Sequence, residues 1–113
     1  MANTFKLKTD TGVGTSLATT YTVPGSTTTI VIGCTLANIH ASANVNCDVQ
    51  IVTAASSGEN GDDVYVIKNV PVPYASALEI IEGKIVLETG DVIRVKSDTA
   101  SSIDVALSVL EQT

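Results

Sequence analysis

Apolar and polar residues alternate with a period of two along most of the chain. From Leu17 onward, short alternating runs rich in Val, Ile and Thr are separated by clusters of Gly, Pro, Asn and Ser. This pattern is typical of strands with one buried face, because β-branched side chains suit a pleated surface. The runs that we interpret as strands are LATTYTV, TTTIVIGCTLAN, VNCDVQIVT, VYVIKNV, ALEII, KIVLE, VIRVKS and IDVALSVLE.

These runs predict an all-β fold without helices. About eight short strands with turn signals between them fit a single antiparallel β-sandwich or a jelly-roll-like barrel. A chain of 113 residues is expected to form one domain and to fold without metal or disulfides. We predict an extended N-terminal arm over residues 1–15, which lack apolar periodicity beyond Phe5 and Leu7, and a sandwich domain over residues 16–113.

The second and third runs are predicted to form a hairpin across the loop ANIHASAN. One register buries all of their apolar residues together, which is the condition for a well-specified pairing. Since a cytoplasmic fold keeps thiols reduced, both cysteines are predicted to be buried free thiols. The predicted pairs are Leu36 with Val45, Cys34 with Cys47, Ile32 with Val49, and Ile30 with Ile51.

The stretch EGKIVLETGDVIRVKSD places two carboxylates, Glu88 and Asp91, beside a turn. Pairing KIVLE with VIRVKS through this turn predicts a second hairpin, with Gly90 supplying a positive φ. Both carboxylates would lie at its exposed tip. Exposed carboxylates lack the burial that separates two pKa values for acid–base work, so we predict a structural turn.

Other candidates for chemistry are weak. His40 is the only histidine, and nothing visible activates Cys34 or Cys47 as a nucleophile beside it. The acidic loop GENGDD could offer oxygens to a cation, but its spacing does not match a calcium loop, and cation binding by loop 56–63 stays open. No enzyme motif occurs, so we expect no catalytic residues, no cofactor and no metal.

Charge and hydropathy exclude two kinds of partner. The net charge is −6, and the six basic residues are scattered singly, whereas nucleic-acid binders cluster Lys and Arg to displace counterions. We see neither an apolar run long enough to span a bilayer nor a secretory leader. The chain is therefore expected to bind neither nucleic acid nor membrane, and to fold in a cytoplasm.

Three motifs, TVPGSTTTIVIG, VPVPYASALEIIEGKIVLETGD and the closing LSVLE, cover much of the chain. In them the chain resembles small structural proteins of tailed bacteriophages of the aquatic, cyanophage type. The resemblance implies a virion component, most readily a capsid decoration or cement protein on the outer shell. Its partners would be the major capsid protein and other copies of itself, as a trimer. Alternatives are a tail, neck or fibre module and a free-standing ligand-binding or enzymatic β-domain.

The predicted contact residues lie in the N-terminal arm. Phe5 and Leu7 would enter an apolar groove on the coat protein, while Lys6 and Lys8 would meet an acidic coat surface. An arm that alternates in this way suits pairing with a neighbouring sheet edge. The alternative is that Phe5 and Leu7 belong to the first strand of the domain's own sheet.

Overall fold

The fold is an all-β sandwich of two antiparallel sheets, as predicted. The computed structural model describes residues 2–54, 62–81 and 83–113, and within these ranges no helix is long and apolar enough to cross a membrane. The strands formed by these residues are β1 (Asn3–Asp10), β2 (Ala18–Thr22), β3 (Thr28–Asn38), β4 (Val45–Val52), β5 (Asp63–Val72), β6 (Ala77–Glu79), β7 (Ile85–Leu87), β8 (Val92–Ser97) and β9 (Ile103–Gln112).

Two sheets share the strands. Sheet A has the order β1-β9-β3-β6, and β7 pairs with β3 beside β6; sheet B has the order β2-β8-β4-β5. Their inner faces enclose one core of aliphatic side chains with the ring of Tyr21. The fully buried members include Val31, Leu36, Val45, Leu87, Val95, Ile103 and Leu107.

The predicted hairpin between β3 and β4 does not form. β3 lies in sheet A, where it pairs with β9, and β4 lies in sheet B, where it pairs with β8 and β5. The prediction was wrong because a period of two shows which side chains of a strand are buried, but it does not show which strand is its neighbour in the sheet. In a sandwich, two strands bury their apolar residues equally well by facing each other across the core.

A β-bulge in β3 also corrects the predicted inward face of that strand. The register against β9 shifts between Val31 and Gly33, so Thr29 and Val31 point into the core. Ile30 and Ile32, which were predicted to be buried with Cys34, lie on the outer side, and Ile32 is 40% exposed. The extra residue of a bulge reverses the alternation of a strand.

The Glu79 carboxylate holds this bulge. It accepts hydrogen bonds from the backbone N–H of Cys34 (2.8 Å), the backbone N–H of Ile81 (3.0 Å) and the hydroxyl of Thr35 (3.1 Å). A Cβ on Gly33 would come within 3.1 Å of Glu79 Oε1, which explains the small residue there. Desolvation raises the pKa of Glu79, but the backbone hydrogen bonds outweigh it and lower the pKa below its ordinary value.

The predicted hairpin around Gly90 is replaced by a crossing between sheets. β7 pairs with β3 in sheet A, whereas β8 pairs with β2 and β4 in sheet B. Gly90 has the expected positive φ, 90°. The prediction that Asp91 lies at an exposed tip is wrong: its side chain is fully buried, and its carboxylate accepts the N–H of Ala54 and of Glu88, both at 2.9 Å. These bonds make the turn a structural element.

The N-terminal segment is a strand of the domain's own sheet. β1 pairs with β9 along its whole length, from Asn3 opposite Gln112 to Asp10 opposite Val105. This arrangement is the alternative given above for Phe5 and Leu7. Over Asn3–Asp10 the predicted arm of residues 1–15 is therefore paired and not free, because its backbone bonds satisfy the edge of β9.

Candidate docking surface

The outer face of sheet A carries an exposed apolar ridge. The register places Phe5 opposite Leu110, Leu110 opposite Ile30, and Ile30 opposite Val86, in one row across four strands. Phe5 is 74% exposed and Val86 is 61% exposed. Leu7, 62% exposed, and Ile32 extend this row along the strands. We call these six residues the apolar ridge, and a contiguous patch of this kind marks an interaction surface more often than a scattered set does.

Toward the other end of the strands, the outer face of sheet A is lower because it carries short side chains. Thr9, Ala106 and Thr35 form the next row across β1, β9 and β3, and their side chains are short. They line an open depression of about 460 Å³, which we call the shallow depression. Its other lining residues are Asp10, Thr11, Ala37, Asp104 and Val105. The outer face of sheet A is thus high at one end of its strands and low at the other.

The structure separates the predicted contact residues onto two faces of β1. Phe5 and Leu7 lie on the outer face and are available for contact, as the prediction requires. Lys6 forms an ion pair of 2.8 Å with Glu111, and Lys8 lies 5.9 Å from the centre of the Tyr21 ring. Contact of Phe5, Lys6, Leu7 and Lys8 with a coat protein stays a prediction. Because both lysines already have intramolecular neighbours, the side chains of Phe5 and Leu7 are the ones that are accessible for this contact.

A polar cluster under β1 joins the two sheets. The Glu111 carboxylate, whose side chain is 6% exposed, accepts hydrogen bonds from the ammonium of Lys6 and from the hydroxyl of Tyr21. Tyr21 Oη also lies 2.8 Å from Thr29 Oγ1. The bonds from Lys6 and Tyr21 lower the pKa of Glu111. Burial, with the bond to Glu111, raises the pKa of Tyr21 to about 12. The cluster links β1, β9 and β3 of sheet A to β2 of sheet B.

The free edge of β1 presents backbone groups to solvent. Ala2 and Thr113 exchange both of their backbone hydrogen bonds, at 3.1 and 2.9 Å. In an antiparallel ladder such pairs alternate, so Lys6 and Lys8 also bond to β9. The N–H and C=O groups of Phe5 and Leu7 therefore point away from the sheet, and this edge can accept another strand.

The outer face of sheet B is polar. Its paired positions include Asp48 opposite Lys96 and Gln50 opposite Arg94. Tyr65, 38% exposed, lies opposite Gln50, and the ammonium of Lys68 stands 4.2 Å from the centre of its ring. The side chains of Asp48, Lys96 and Arg94 are partly exposed, whereas Gln50 is only 6% exposed. Among the described residues of sheet B, no row of apolar side chains corresponds to the apolar ridge of sheet A.

The cysteines and the histidine form no reactive site in the described residues. Cys34 and Cys47 are buried free thiols, as predicted, although they belong to opposite sheets and not to one hairpin. Burial raises the pKa of Cys34 to about 12 and that of Cys47 to about 11, so both stay protonated near neutral pH. The ring Nδ1 of His40 accepts the N–H groups of Ser42 and Ala43, each at 3.1 Å, which orders its own loop.

The predicted acidic loop lies partly outside the described residues, including Glu59 and Asn60. Of its described part, Asp62 bonds through its backbone to Thr53 at the end of β4. Within residues 2–54, 62–81 and 83–113, no three His, Cys, Asp or Glu side chains come together as a metal site. Cation binding by loop 56–63 stays open.

Sequence reasoning missed most of the apolar ridge. Val86 and Leu110 were not predicted to lie on an outer face, and Ile30 and Ile32 were predicted to be buried. One signal was present: apolar residues stand at consecutive positions in TIVIG and in SVLE, so these strands are apolar on both faces. A strand that is apolar on both faces either lies between two layers or has an outer face that another molecule covers.

Comparisons with known proteins show a likeness in fold. No family model matches the chain, and no curated protein matches it either. Among solved structures, the chain is similar to a chain in the acidic stable capsid structure of Helicobacter pylori bacteriophage KHP30. The TM-score is 0.56 with 10% sequence identity, and the alignment covers 98% of this chain and 87% of the other. At this identity the similarity establishes a shared fold.

Proposed function

We propose that the protein is a non-enzymatic structural component of a bacteriophage virion, and within it a capsid decoration or cement protein. The main support is the fold likeness to a chain of a phage capsid structure, which extends over 98% of this chain. Since the alignment also covers 87% of the other chain, the two chains are similar in size. The phage-like motifs of the sequence point to the same class of protein.

The surface of the molecule supports a role in assembly. The apolar ridge crosses the outer face of sheet A and begins at β1, whose other edge is free, and both features gain stability when another protein covers them. Covering apolar area contributes about 25 cal/mol per Å², and strand pairing satisfies exposed backbone groups. The net charge of −6 suits the outside of a shell better than a surface that faces packaged DNA.

The mechanism is mechanical. The sandwich is a rigid block, and it binds the assembled shell through the edge of β1, with the predicted residues Phe5, Lys6, Leu7 and Lys8 at or beside the contact. A protein that binds only the assembled shell stabilises that shell by mass action. The major capsid protein is the proposed partner, the capsid surface is the proposed location, and association of copies into trimers stays a prediction.

The test is a count of this protein per major capsid protein, by quantitative mass spectrometry, in particles stripped of their tails. A ratio near one to one supports decoration. A few copies that leave with the tails would instead identify a tail, neck or fibre module. The matched variants are Phe5→Ser with Leu7→Ser on sheet A, which should lower the copies retained on heads, and Tyr65→Ser on sheet B, which should not.

A further inference from the structure

We infer that the outer face of sheet A is covered by the same face of a second copy of this chain. The two copies are related by a two-fold axis that lies in the interface and runs perpendicular to the strands of sheet A. Such an interface is isologous, so every contact occurs twice. This inference goes beyond the proposed function and does not depend on it: it assigns the side chains of the apolar ridge to a second copy and leaves the backbone edge of β1 free for the coat protein.

The relief of the face supplies the first reason. Along β1, the exposed side chains run from Phe5 and Leu7 in the apolar ridge to Thr9, which lines the shallow depression. A two-fold axis perpendicular to the strands reverses their direction, so the apolar ridge of each copy enters the shallow depression of the other. An axis parallel to the strands would place the ridges on each other and leave two depressions face to face. Protein interfaces pack like interiors, which favours the first arrangement.

The area of the face supplies the second reason. β1, β9 and β3 have 8, 10 and 11 residues, and β6 and β7, with 3 residues each, share the fourth position of sheet A. Each residue of a sheet covers about 3.4 Å by 4.8 Å. The footprint is therefore on the order of 600 Å² per copy, at the lower end of the roughly 600–1,000 Å² per partner of a stable, specific interface.

A second copy explains the face better than a coat subunit does. The apolar ridge needs a concave partner with short side chains, and the shallow depression needs a convex apolar one. The chain carries both on one face, so a second copy offers the two matching surfaces at once. In this arrangement the free edge of β1 stays at the side of the dimer, where it remains accessible to another strand.

The experiment is sedimentation velocity of the purified full chain from low to high micromolar concentration, with two matched pairs of variants. Phe5→Ser removes part of the ridge, and Tyr65→Ser removes an exposed aromatic from sheet B. Thr9→Arg fills the depression from edge strand β1, and Thr22→Arg places the same side chain on exposed Thr22 of β2, an edge strand of sheet B. Far-UV circular dichroism and thermal unfolding verify that each variant is folded.

We expect a dimer whose dissociation constant rises about 30-fold or more in Phe5→Ser and in Thr9→Arg, as for a side chain that carries much of the binding energy. Tyr65→Ser and Thr22→Arg should dimerise like the parent. A chain that is monomeric at every concentration would overturn the inference. So would a dimer that tolerates Thr9→Arg, because its ridge would then lie outside the depression. If the parent chain is itself a monomer and its Thr9→Arg variant no longer binds phage heads, the face belongs to the contact with the coat protein instead.

Discussion

The two outer faces of the sandwich differ in polarity, although both sheets are antiparallel and bury their inner faces in the same core. Sheet B has charged pairs such as Asp48 with Lys96 on its outer side. Sheet A has the apolar ridge, in which Phe5 is 74% exposed. A one-sided antiparallel sheet normally keeps its outer face polar. Sheet B follows that rule, and sheet A departs from it where another molecule is proposed to bind.

The largest difference in stability is expected between substitutions on the inner and the outer side of β9. Leu107 is fully buried, whereas Leu110, three residues later, belongs to the apolar ridge. Leu107→Ala should lower the free energy of unfolding by about 2–5 kcal/mol because it leaves a core cavity. Leu110→Ala should cost less, about 1–2 kcal/mol, because Leu110 is partly exposed and its truncation leaves no closed cavity. Urea denaturation measures both, and equal costs would show that the ridge stabilises the fold instead of serving as a contact surface.

The next effect concerns the bond between β1 and the core. Glu111→Gln keeps the shape of the side chain but removes the charge that Lys6 and Tyr21 contact, and should cost about 1–3 kcal/mol. The pKa of Glu111 is lowered in the folded state. Its contribution is therefore present above the unfolded pKa of about 4.3 and is lost as the pH falls through the lower folded pKa.

Denaturation of the parent and of Glu111→Gln between neutral pH and acid checks this sign. The parent should lose more stability than the variant as the pH falls below the ordinary range of a glutamate. Hydrogen exchange at the Lys6 and Lys8 amides should report the same change locally, because β1 is held by this cluster. A parent and a variant with parallel pH profiles would contradict the role assigned to Glu111.

The smallest effect is expected on sheet B. The Lys68 ammonium lies 4.2 Å from the centre of the Tyr65 ring at an exposed site, where a cation–π contact contributes about 0.5–1 kcal/mol. Lys68→Met keeps much of the aliphatic stem and removes the charge. It should change the unfolding free energy by no more than this amount and leave self-association unchanged. A loss of association in this variant would transfer the interface to sheet B.

Local rules made the strands and turns predictable. All eight predicted runs become strands, and VIRVKS is β8 residue for residue. Gly90 takes the positive φ that its turn needs, and the two cysteines are buried. Each of these properties depends on a few neighbouring residues: a period of two, a turn glycine, a small apolar side chain.

The candidate surface was predictable only in part. Phe5 and Leu7 could be named from the sequence because they alternate outside the main pattern. Their apolar neighbours Ile30 and Val86 come from strands that are distant in the chain, and pairing through β9 and β3 brings them into one row. The bulge beside Gly33, which places Ile32 on the same face, depends on a carboxylate from Glu79.

The sequence by itself determined the class of fold, the positions of the strands and the absence of enzyme motifs, because these follow from short-range periodicity and composition. Only the tertiary structure decided which strands pair and which apolar faces stay exposed. Alternation is satisfied equally by pairing within a sheet and by facing across a core, and the choice depends on contacts between residues far apart in the chain. That choice buried Asp91, turned Ile32 outward and gathered the apolar ridge on sheet A.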